Sequence, residues 1–86
     1  MAQILVYGAD WCGMTRRTLK FLDDLGVEYK YTDIDNDQKA AEWVKEHADG
    51  KEKKPTVDVN GTVLVTPDDD ELEEVLRAQN LLPAAS

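Results

Sequence analysis

The chain contains one cysteine and one histidine, Cys12 and His47. A lone cysteine is either a small buried hydrophobe or a reactive thiol. Its surroundings favour the second reading, because Cys12 stands between Trp11 and Gly13 where an apolar strand-like run gives way to a helical pattern. The unpaired backbone N–H groups of a first helical turn, here from Gly13 and Met14 to Arg16, stabilise an anion, so a thiol at that place should ionise below the ordinary value of about 8.5. Thr15 can turn its hydroxyl back toward the sulfur, Arg16 and Arg17 add positive potential within a turn, and Trp11 supplies an aromatic wall. The chemistry such a thiolate performs is nucleophilic thiol-disulfide exchange. Asp10 would oppose ionisation if it faced the sulfur and is expected to point away or to cap the helix. A single cysteine excludes an internal disulfide framework and a multi-thiolate zinc site. His47 reads as a partner of a helix C-terminus rather than a base, and Trp43 as core.

These residues need a scaffold. Gln3 to Tyr7 reads as a buried strand ended by Gly8 to Asp10. Leu19, Leu22 and Leu25 recur at helical spacing and Gly26 supplies a stop, which predicts an amphipathic helix over 13–25. Val27 to Ile34 alternates as a second strand. Asn36 or Asp37 can cap a helix carrying Ala40, Ala41, Val44 and Ala48 on one face, and Asp49-Gly50 ends it. After the polar connector Lys51 to Lys54 comes Pro55, then two β-branched runs around Asn60-Gly61, the strongest short hairpin signal. Thr66-Pro67-Asp68-Asp69 opens a last helix, with Thr66 as cap, Pro67 at its first position and Leu72, Val75 and Leu76 on its buried face. The predicted fold class is α/β with order β-α-β-α-β-β-α: a four-stranded mixed sheet, its first two strands parallel, flanked by three helices over both faces.

The 86 residues, 42% hydrophobic and 33% charged, read as a single globular domain over 1–86. Eighteen acidic against 10 basic residues give a net charge of −8, which opposes nucleic acid and anionic membrane surfaces as partners. The N-terminal residues lack a basic region and reach Gly8 and Asp10 too soon for a signal peptide, so a cytoplasmic monomer is expected.

The run Tyr7-Gly8-Ala9-Asp10-Trp11-Cys12-Gly13-Met14-Thr15 resembles the active-site loop of glutaredoxins and thioredoxins. Lys54-Pro55-Thr56 lies where that superfamily has a cis-proline facing the active cysteine, and the hairpin and Thr66-Pro67-Asp68 follow in its register. The likeness covers nearly the whole chain and is nearest to short bacterial glutaredoxin-like and mycoredoxin-like proteins. It implies a thioredoxin fold, Cys12 as catalytic thiolate, and a low-molecular-weight thiol, glutathione or mycothiol, as co-substrate with no tightly bound cofactor. It also implies that Trp11, Lys54, Pro55 and Thr56 hold the partner, and that Asp69 corresponds to an acidic residue used on a peptide's amino group, although a carboxylate there also suits the helix dipole.

The departures are as informative. The second cysteine of two-cysteine members is Thr15 here, so a mixed disulfide on Cys12 cannot be resolved internally. Ala9 replaces a basic residue, Lys54 a valine, and Val65-Thr66 a Gly-Gly pair. Lys53 and Lys54 could meet a thiol's carboxylate or raise the potential near Cys12. Three readings follow: a one-cysteine oxidoreductase acting on small-molecule or protein mixed disulfides, a non-catalytic adaptor of the same fold, and, least favoured because Met14-Thr15 replaces Phe-Ser, a glutathione-dependent iron-sulfur carrier.

Overall fold

Residues Ile4–Gly8 bury Ile4, Val6 and Gly8 while Leu5 and Tyr7 are half-buried, the period-two pattern of a strand covered on both sides. In the computed structural model, which describes residues 4–82, this is β1, followed by α1 (Gly13–Leu25), β2 (Lys30–Asp33), α2 (Gln38–His47), β3 (Thr56–Val59), β4 (Thr62–Val65) and α3 (Asp69–Ala78). Gln3, the expected start of the first strand, lies outside the described residues. The sheet order is β2-β1-β3-β4, with β1 parallel to β2 and antiparallel to β3, and β3 antiparallel to β4. The helical crossover α1 makes the first pair parallel, and a two-residue turn makes the last pair antiparallel. At that turn Asn60 and Gly61 have φ of 50° and 98°, and Asp58 accepts the Gly61 N–H at 2.8 Å.

Two apolar layers flank the sheet. On one face Ile4, Val6, Val57 and Val59 pack with Leu22 of α1 and Leu72 and Leu76 of α3, none more than 2% exposed. On the other, Ala41 and Val44 of α2 meet Ile34, with Tyr7 and Trp43 at the margin. The Tyr7 and Trp43 rings lie 4.6 Å apart, and His47 stacks on Trp43 at 4.1 Å while its Nδ1 lies 2.8 Å from the Trp43 carbonyl oxygen. Trp43 and His47 are thus both engaged on α2.

The helix ends follow their capping residues. Gly26 closes α1 at φ 76°, and Asp37 caps α2 by accepting the Ala40 N–H at 3.0 Å. Gly8, expected to break the first strand, belongs to β1, and the second strand stops at Asp33 rather than Ile34. Two element starts differ by more. The second strand begins at Lys30 rather than Val27, because the chain is still leaving α1 there: the Val27 N–H donates to the Leu22 carbonyl at 3.3 Å. The last helix begins at Asp69, with Asp68 as the cap accepting the Glu71 N–H at 2.7 Å, and neither Thr66 nor Pro67 takes the roles expected of it. Thr66 instead extends the β3/β4 pairing, donating its N–H to the Pro55 carbonyl at 2.8 Å, and turns the chain at φ 46°, a conformation a helix N-cap does not adopt.

Candidate active site

Strand β1 ends at Gly8, and the loop Ala9 to Trp11 carries the chain to Cys12, which is the N-cap of α1 with extended backbone (φ −80°, ψ 118°). The loop is closed by the Cys12 N–H donating to the Ala9 carbonyl at 3.0 Å, and the helix opens with the Arg16 N–H donating to the Cys12 carbonyl at 3.1 Å. Cys12 is half-buried, and burial pushes its thiol up. That push is outweighed by the Thr15 backbone N–H and hydroxyl, the Met14 N–H and the charge of Lys54, so the thiol ionises below its ordinary value. The cation acting on the sulfur is therefore Lys54, whereas Arg16 is exposed.

Thr15 is fully buried, and its hydroxyl oxygen also accepts the Ala9 N–H at 3.4 Å. Gly8 makes room for it. A Cβ at residue 8 would lie 2.5 Å from both Oγ1 and Cγ2 of Thr15, so the last residue of β1 sets how closely the first turn of α1 can approach the sheet.

The Lys54–Pro55 peptide bond is cis, as the resemblance implies. Pro55 and Thr56 are buried, and the Thr56 hydroxyl donates to the Lys53 carbonyl at 2.9 Å. Lys54 crosses to the active-site loop, its Nζ 5.0 Å from the centre of the Trp11 ring and 3.9 Å from carboxylate oxygens of Asp35 and Glu52. Asp35 also accepts the Trp11 indole N–H. Asp10 turns away from the sulfur and accepts the Tyr31 hydroxyl at 2.7 Å; desolvation, then this bond and the nearby carboxylates, raise the Tyr31 pKa, so its proton stays on. Trp11 and Met14, 66% and 54% exposed, are open apolar surface on either side of Cys12.

Asp69 stands apart from the Lys54 group. It lies in a cleft of about 110 Å³ shared with Met14, Thr18 and Pro67, 3.9 Å from Arg17. Of the residues expected at the site, Trp11 to Thr15 and Lys54 to Thr56 come together, Asp69 reaches the neighbourhood through Met14, and Arg16 faces solvent. Asp35, which sequence reasoning passed over, belongs to the same arrangement, and Gly8, read only as part of the loop, proves to set the approach of Thr15. Asp35 had a signal, since it follows the C-terminal end of a parallel strand, where open α/β sheets place their functional loops.

A glutaredoxin family model matches residues 4–64. Mycoredoxin 1 of Corynebacterium glutamicum is 46% identical over 57 residues, which cover 66% of this chain and 70% of that protein. Among solved structures, the glutaredoxin of Archaeoglobus fulgidus superposes with a TM-score of 0.73 at 26% identity, covering 90% of this chain and 88% of its own. The glutaredoxin of Methanosarcina mazei does so with a TM-score of 0.75 at 27% identity, covering 87% and 78%. A β-α-β-α-β-β-α chain with a cysteine capping its first helix, a cis-proline after the second and these relatives has a thioredoxin fold and a glutaredoxin-like redox function, and it belongs to the glutaredoxin family.

Proposed function

We propose that the protein is a one-cysteine thiol-disulfide oxidoreductase that clears mixed disulfides between a low-molecular-weight thiol, glutathione or mycothiol, and other thiols. The observation that carries this reading is the place of Cys12, a half-buried thiol at the N-cap of α1, where the first-turn N–H groups, the Thr15 hydroxyl and the charge of Lys54 lower its pKa and favour its anion. The Cys12 thiolate attacks the small-thiol sulfur of the mixed disulfide, forming a new S–S bond as the old one breaks, and the released thiolate takes a proton from water. Cys12 then carries the small thiol as a disulfide. A second molecule of that thiol attacks as thiolate, leaves as the symmetrical low-molecular-weight disulfide and returns Cys12 to its anion. No other cysteine exists to take that second step. In this reading the partner is held by Lys54 and Trp11, whose ammonium and ring lie 5.0 Å apart, with the buried Pro55 and Thr56 supporting Lys54 from behind, and Met14 leads on to the cleft with Asp69.

The test is mass spectrometry of the protein after exposure to the disulfides of glutathione and of mycothiol, followed by steady-state reduction of a protein carrying each thiol. A single adduct on Cys12, removable by the free thiol, and turnover abolished by Cys12→Ser are the expected results. An unmodified Cys12 with no turnover would defeat the reading and leave the adaptor role; turnover that survives Cys12→Ser would defeat it as well, by placing the activity away from the thiol.

A further inference from the structure

Lys54 is the cation nearest in effect to the thiolate, and it is also the side chain on which an incoming carboxylate would be expected to settle. It is already engaged. Its side chain is only 16% exposed, it lies against the Trp11 ring, and two carboxylates, Asp35 and Glu52, stand at 3.9 Å from its ammonium. Asp35 is itself fixed, by the Trp11 indole N–H on one side and by its own backbone N–H donating to Asp33 at 2.9 Å on the other. Beyond this group Asp35 and Glu52 continue into an open cleft of about 300 Å³, together with Gln38, Glu42 and Lys45. Lys45 is paired with Glu52 at 3.4 Å. Three carboxylates, Asp35, Glu42 and Glu52, therefore line the cleft with one ammonium, that of Lys45, and two of them also lie 3.9 Å from the ammonium of Lys54 outside it.

Resting on the reading of Cys12 as the reactive thiol, we infer that Asp35 and Glu52 are specificity-determining residues: by occupying Lys54 they make this approach to Cys12 selective for disulfides with an uncharged substituent over those bearing a carboxylate. Lys54 then has two separate effects. Its charge remains close enough to favour the Cys12 anion, while two carboxylates 3.9 Å from its ammonium offset that charge for an incoming anion. An uncharged group with amide or hydroxyl functions meets no repulsion in the cleft and can hydrogen-bond to Gln38 and Glu42. A carboxylate meets Asp35, Glu42 and Glu52, whose negative charge exceeds that of the ammonium groups of Lys45 and Lys54. Coulomb interactions at such partly exposed positions are modest, so the selectivity is a matter of severalfold rather than of orders of magnitude.

The experiment compares two disulfides differing only in this charge, 3,3′-dithiodipropionic acid and its diamide. Rates of Cys12 adduct formation are measured at low ionic strength and divided by the rates of a free small thiol with the same reagents. In each reaction the Cys12 thiolate displaces one half of the reagent as a thiolate, so the chemistry is identical. The wild-type protein is expected to favour the diamide by about fivefold, the size of an exposed-charge effect. Asp35→Asn with Glu52→Gln keeps an acceptor for the indole, frees Lys54, and should bring the two rates within about twofold, chiefly by speeding the acid. Adding Lys54→Gln should abolish that gain. Glu28→Gln with Glu74→Gln removes the same total charge at exposed positions away from the site and should leave the wild-type preference in place. Equal rates in the wild type, or the same gain from the Glu28/Glu74 control, would overturn the inference while leaving the proposed function intact. A Cys12 that reacts with neither reagent would overturn both.

Discussion

At the scale of single residues the behaviour of Cys12 is a balance, burial raising its pKa and the polar groups of Thr15 and Met14 together with the charge of Lys54 lowering it further than burial raises it. The rate of alkylation against pH should therefore have its midpoint below the free-thiol value of about 8.5. Thr15→Val, which keeps the shape and removes the hydroxyl, should move that midpoint up, as should Lys54→Gln; Arg16→Gln should not. The same balance links to stability. Because the folded thiol ionises below the unfolded one, the anion adds stability that is fully present above about pH 8.5 and disappears as pH falls through the folded value. Cys12→Ser should consequently cost more in a denaturation experiment at pH 9 than at pH 6. Position 15 carries a second expectation. One helical turn separates Cys12 from Thr15, the spacing at which two side chains at a helix start can close a disulfide, so Thr15→Cys should oxidise internally under mild conditions and release a trapped mixed disulfide without added thiol. A variant that keeps its fold and stays reduced would show that residues 12 and 15 do not face each other.

At the scale of elements the site exists because a strand end and a helix start meet. Gly8 closes β1 and Thr15 fills the space that a Cβ on Gly8 would take. Gly8→Ala should force the first turn of α1 outward, destabilising the protein by about 1 to 3 kcal/mol as an overpacking change, and should raise the alkylation midpoint of Cys12 because Thr15 moves with that turn. Coupling of the two readouts is the informative result; lost stability with an unchanged midpoint would place the adjustment elsewhere in β1. The bounds of α1 were legible at this scale, since Leu19, Leu22 and Leu25 mark its face and Gly26 its end. The start of α3 was not. Thr66-Pro67-Asp68 contains two plausible caps, and the choice between them was made by the hydrogen bond from Thr66 to Pro55, which belongs to the sheet.

At the scale of the whole molecule the layers that support the site are separable from it. Leu76 is fully buried against Val57, Val59 and Leu72 on the face covered by α1 and α3. Leu76→Ala should cost about 2 to 5 kcal/mol in chemical denaturation, the range for emptying a leucine site in a packed core. In the folded fraction the alkylation midpoint of Cys12 should remain where it is, because none of the groups acting on the sulfur belongs to α3. A midpoint that moves with Leu76→Ala would show that the site senses core packing, contrary to the local account of the thiol.

The order of elements, the hairpin pair around Asn60-Gly61 and the start of a helix just after Cys12 could be read from the chain, because each rests on local periodicity or on backbone preferences of a few neighbouring residues, and the parallel first pair followed from its helical crossover. The cis bond at Pro55 was accessible only through resemblance to relatives, since a proline permits that geometry without requiring it. What only the tertiary structure decided is which charge reaches the sulfur. Arg16 and Arg17 are near Cys12 in sequence, yet Lys54, 42 positions away along the chain, is the cation that acts on it. Asp35 and Glu52 determine how that cation is held. Side-chain electrostatics depend on distance in space, and here the sheet brings the end of β1 and the start of β3 together, a juxtaposition no local pattern encodes.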